Sequence, residues 1–94
     1  MRSEELKENW ENLANAIVVF AAQDFKKAYK RYLRNSRSRE AAGEVESLVH
    51  FFMGDYYKVL TSVDGEVLVR KLKRQVEEKI NAEKREPSSI SDIL

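Results

Sequence analysis

The periodicity of the first third of the chain limits what the rest can build. Counted at 100° per residue from Leu6, the residues Trp10, Leu13, Ala14, Ile17, Phe20, Ala21, Ala28 and Tyr32 fall within one arc of about 120°, with Val18 and Phe25 extending it. This spacing predicts one helix from about Glu4 to Arg34, capped by Ser3 and opened by glutamates that suit the positive end of the helix dipole. A rod of that length measures about 46 Å at ~1.5 Å per residue. A compact chain of 94 residues has a radius of gyration near ~12 Å and a diameter of roughly 32 Å. The first helix therefore bends, or it projects into a partner.

Two further helices follow from the same kind of pattern. Asn35 to Ser38 is a short break, and Ser38 is positioned to cap a second helix running to about Leu60. Val45, Leu48, Val49, Phe52, Met53, Tyr56, Val59 and Leu60 share an arc of about 140° on it. His50, Phe51 and Tyr57 lie outside that arc, and Gly43 and Gly54 weaken the helix off its apolar face. The stretch Thr61 to Glu66 is the clearest turn, with Asp64 as the cap of a third helix from Gly65 to about Arg85. Leu68, Val69, Leu72, Val76 and Ile80 make a narrow stripe on that helix. Glu66 with Arg70, Lys73 with Glu77 and Arg74 with Glu78 are four residues apart on its charged faces. Pro87 is expected to stop it, leaving Ser88–Leu94 as a short mobile tail.

The predicted architecture is all-α: a three-helix single domain over residues 1–86 with a tail at 87–94 and no sheet. Three glycines and one proline are too sparse for the frequent turns of an all-β fold. The expected core gathers Leu13, Ile17, Phe20, Val49, Phe52, Tyr56, Leu68, Leu72 and Val76.

The chain has no cysteine, which removes disulfides, thiolate nucleophiles and cysteine-based zinc sites. Its longest apolar run, Ala16–Ala22, is far below the roughly 20 residues that span a bilayer. The acidic and polar start does not read as a signal peptide, so a cytoplasmic protein is expected. His50 is the single histidine, and nucleotide-loop, zincin and nucleophile-elbow motifs are absent. The exposed glutamate pairs near helix starts match the dipole and mark no acid–base site. No catalytic residue, metal or cofactor is expected.

Charge is where the sequence is most distinctive. Net charge is only +1, yet residues 26–39 carry seven basic groups and no acid: Lys26, Lys27, Lys30, Arg31, Arg34, Arg37 and Arg39. Phe25, Tyr29 and Tyr32 interleave with them. The block admits three readings: a solvated helix end matching its dipole, a site for nucleic acid or a nucleotide-like anion, or a surface for an acidic protein. On the second and third readings Lys26, Lys27, Tyr29, Lys30, Arg31 and Arg34 form the anion- or partner-binding site. Asp24 lies at the centre of the first helix's apolar arc, which calls for a local pairing, a subunit interface or a ligand pocket. Together with Trp10, Phe51 and Tyr57 it marks an expected homo-oligomer interface.

Several segments carry a resemblance. Leu13-Ala14-Asn15-Ala16-Ile17-Val18, Asp24-Phe25-Lys26-Lys27-Ala28, Phe51-Phe52-Met53-Gly54-Asp55-Tyr56 and Leu60-Thr61-Ser62-Val63-Asp64-Gly65-Glu66, with Leu68 and Leu72 beyond, resemble small proteins of temperate phages and prophages of Firmicutes. The likeness covers roughly residues 9–77 and is most specific in its Phe-Phe-x-x-Asp-aromatic and Asp-Gly-Glu pieces. It implies a phage accessory protein in the host cytoplasm that acts by binding. Such a protein would inhibit or sequester a host defence component or a signalling nucleotide; the alternative is a nucleic-acid-binding accessory in replication or packaging. The resemblance supplies no catalytic residue.

Overall fold

The computed structural model describes the backbone from residue 3 to residue 93 and the side chains of residues 9–83. Among the described residues all regular structure is helical: α1 (Ser3–Arg34), α2 (Arg39–Met53), α3 (Asp55–Leu60) and α4 (Gly65–Ile93). The all-α class holds, with four helices in place of three. The expected stop at Pro87 is not found, since α4 continues to Ile93. A proline there forgoes one backbone hydrogen bond without ending the helix.

Of the three expected caps, those of Ser38 and Asp64 form, and the side chain of Ser3 lies outside the described residues. Ser38 Oγ accepts the N–H of Ala41 at 3.2 Å, and Asp64 Oδ1 accepts the N–H of Val67 at 3.1 Å. The start of α4 lies hard against the end of α2, where a Cβ on residue 65 would run into the carbonyl oxygen of Phe52. Glycine is what permits that close approach.

The fourth helix arises because Gly54 leaves the helical region, at φ −87° and ψ 171°. One extended residue resets the rotational phase of everything after it. Tyr57, expected outside the apolar arc, turns inward and is 1% exposed; Tyr56, expected in the core, turns outward and is 57% exposed. Val59 follows Tyr56 out, and Leu60 follows Tyr57 in.

The first helix also buries a different strip from the one expected. Ala14, Phe25 and Ala28 are buried and Ala21 packs against the core, whereas Leu13 and Phe20 are exposed and Ile17 is only half-buried. The physical reason is backbone approach. Alanines at 14, 21 and 28 repeat every seven residues and let the neighbouring helices come close, leaving space for one large ring, Phe25.

That ring is the centre of the core. Phe25 meets Phe52 edge-on at 6.1 Å, Phe52 meets Tyr57 edge-on at 5.6 Å, and Tyr29 stacks on Phe25 at 5.7 Å. Val69, Leu72, Val76 and Ile80 of α4 close the cluster, as the stripe predicted. The molecule is drawn out along α1: its radius of gyration is 17.4 Å and its extents are 63 × 30 × 19 Å, against about 12 Å for the radius of a compact chain of this size.

The phase shift at Gly54 is directly testable. Tyr57→Ala should destabilise the protein by about 3–5 kcal/mol, in the range of buried aromatic truncations. Tyr56→Ala should cost less than about 1 kcal/mol, as surface changes do. Urea denaturation followed by circular dichroism measures both, and the reverse order would contradict this packing.

Candidate functional site

The basic block occupies the last turns of α1, where cations favour the negative end of the helix dipole. Folding brings two other helices against it, and three of its seven cations, Lys30, Arg31 and Arg34, gain carboxylate partners. Lys30 Nζ lies 3.0 Å from Glu83 Oε1, and Arg34 donates to Glu83 Oε2 at 2.5 Å. These two donors hold the Glu83 carboxyl below the usual carboxylate range. Arg31 turns to α2 instead, 3.5 Å from Glu44 and 4.0 Å from Glu40. All these pairs are solvent-exposed to a large degree, so screening keeps their contribution to stability small.

Tyr29 belongs to the core rather than to a base-stacking platform. Its hydroxyl donates to Glu77 Oε1 at 2.7 Å and its ring carries the Lys73 ammonium at 5.7 Å. Burial, reinforced by the Glu77 carboxylate, pushes its phenol up to about 12. Lys73 and Glu77, expected to pair with each other along α4, both engage this tyrosine from α1.

Lys26 and Lys27 make no ion pair among the described residues. With Lys30, they line a shallow groove of about 290 Å³ between α1 and α4, completed by Gln75, Val76 and Lys79. No carboxylate lines it. Lys79 was missed in the sequence, where it sits among acids; its four-residue spacing from Gln75 was the available signal. The groove offers ammonium groups over an apolar floor, an arrangement that can hold a phosphate but not read a base.

A second, larger groove of about 740 Å³ runs between α1 and α2, lined by Asp24, Lys27, Arg31, Gly43, Glu44, Ser47 and Leu48. Asp24 is exposed at this groove, so it is not a buried charge. Of the other expected interface residues, Trp10 is 45% exposed. Phe51 is half-buried against Phe52 at 5.3 Å. Tyr57 is withdrawn into the core by the break at Gly54, which removes it from any accessible surface. Burial and the nearby Asp64 carboxylate raise its phenol.

No group of three or more potential metal ligands occurs among the described residues, and no helix there is long and apolar enough to cross a membrane. Comparison of the chain with protein-family models, curated proteins and solved structures finds no match.

The Tyr29–Glu77 contact yields a pH signature. Its phenol ionises near pH 10.0 in the unfolded chain and near 12 in the fold. Its contribution is fully present below pH 10 and is lost as pH rises toward 12, because only the unfolded chain releases the proton in that window. Tyr29→Phe should lower stability by about 1–2 kcal/mol at neutral pH, and the gap between the two proteins should narrow above pH 10. Urea titrations at pH 8 and pH 11 check the sign.

Proposed function

We propose that the protein acts by binding rather than by catalysis, as a small phage-type accessory in the host cytoplasm that inhibits or sequesters a host component. The docking surface in this reading is the outward face of α3. The supporting observation is the break at Gly54, which presents Tyr56 and Val59, 57% and 64% exposed, on one face at three-residue spacing, with Val63 exposed just beyond. Large apolar side chains grouped in this way, rimmed by Lys58 and Asp55, have the makeup of a protein-docking patch. This segment also carries the most specific part of the phage resemblance, which favours a role beyond packing.

Quantitative pull-down from host cytoplasm tests the reading. A host protein enriched by the wild type should be lost with Tyr56→Lys and Val59→Glu while Lys26→Glu retains it. If no host protein responds to the α3 variants, the reading fails.

A second reading, a nucleic-acid-binding accessory, is favoured by one observation: the groove of Lys26, Lys27, Lys30 and Lys79 without a lining carboxylate. Internal pairing of Lys30, Arg31 and Arg34 limits its reach. Binding through this groove would show a shallow salt dependence, equivalent to roughly two or three phosphates, and would be indifferent to base sequence.

A further inference from the structure

The helix α1 carries two stripes at seven-residue repeat. One, through Ala14, Ala21 and Ala28, faces its own bundle. The other, Trp10, Leu13, Ile17 and Phe20, alternates steps of three and four residues beside it. Trp10, Leu13 and Phe20 on this outer stripe are 45%, 55% and 64% exposed. The next seam positions are Asp24, Lys27 and Arg31, so the stripe is apolar over its first half and charged over its second.

We propose that the outer stripe is covered by a second copy of this chain, with the two α1 helices packed antiparallel about a two-fold axis beside Asn15. Antiparallel pairing centred there sets Trp10 against Phe20 of the partner subunit and Leu13 against Ile17 of the partner subunit. The apolar half thus buries only apolar neighbours. A parallel, in-register pair would instead oppose Asp24, Lys27 and Arg31 each to its own like charge, which is destabilising. The antiparallel arrangement also runs the acidic N-terminal segment, with Glu4, Glu5 and Glu8 in its sequence, alongside the start of the partner's basic segment, within about a Debye length. It aligns the two helix dipoles head to tail as well.

The area is of the right order. The exposed parts of Trp10, Leu13 and Phe20 amount to about 300 Å² per copy, given ~150–250 Å² for each aromatic side chain. Two copies would bury about 600 Å² through these side chains, against roughly 1,200–2,000 Å² for a stable interface. The remaining half or more has to come from flanking residues along a contact some 15 Å or more in length.

Sedimentation equilibrium of the full chain should return twice the 11.0 kDa chain mass. Leu13→Glu and Phe20→Glu should each return 11.0 kDa with an unchanged circular dichroism spectrum, because neither side chain is needed inside the bundle. The α3 variants Tyr56→Lys and Val59→Glu should leave the mass at twice the chain, so failure here is separable from failure of the α3 docking surface. The native chain lacks cysteine, which makes the register readable by cross-linking. Trp10→Cys mixed with Phe20→Cys should form a disulfide between the two kinds of chain on oxidation. Trp10→Cys alone should form none, since its two copies lie about 15 Å apart along the axis. A wild-type mass of 11.0 kDa at 100 µM, or efficient cross-linking of Trp10→Cys to itself, overturns the proposal.

Discussion

Three aromatic rings, each supplied by a different helix, meet within about one ring's width of each other. Phe25 of α1, Phe52 of α2 and Tyr57 of α3 are all buried and pack edge-on in sequence. Edge-to-face contact of this kind adds roughly 0.5–1.5 kcal/mol per pair to the burial of the rings themselves. The alanine stripe on α1 and the close passage of Gly65 over Phe52 exist to let those rings reach one another. Helix α4 then seals the cluster with an aliphatic stripe and contributes no ring of its own.

This arrangement explains which parts of the structure could be read from the sequence. The stripe of α4 was legible because Val69, Leu72, Val76 and Ile80 are flanked by charges on both sides, so only one face could turn inward. Ser38 and Asp64 were legible as caps because a short polar side chain before a periodic run has few other uses. The face of α1 was not legible. Its apolar arc is wide enough to hold two stripes, and periodicity alone does not say that the one with small residues packs more closely. The break at Gly54 was hidden for a related reason: a glycine inside a helical pattern is tolerated, and only tertiary packing decides whether it stays helical.

The candidate site shows the same division. A run of seven cations in sequence looks like a polyanion surface until Glu83, Glu44 and Glu40 arrive from the other helices. Glu83 lies far along the chain in a segment of mixed charge, whereas Glu40 and Glu44 follow the block closely but reach Arg31 only because the chain reverses at Asn35–Ser38. Conversely Lys79 enters the lysine groove only through the packing of α4 on α1. Charge in this molecule is thus arranged largely by topology, and the block's residual capacity lies in Lys26, Lys27, Arg37 and Arg39, which have no ion-pair partner among the described residues.

The loop Asn35–Ser38 and the turn before Gly65 are both short, but α4 packs chiefly on α1, the helix farthest from it in the chain, through contacts such as Tyr29 with Glu77. Closing short loops carries a small entropic cost, and chains dominated by local contacts reach their native state quickly. Within each helix the contacts are local, so the folding time belongs with the microsecond-to-millisecond range of helical bundles, and the α1–α4 contacts carry most of the loop-closure cost.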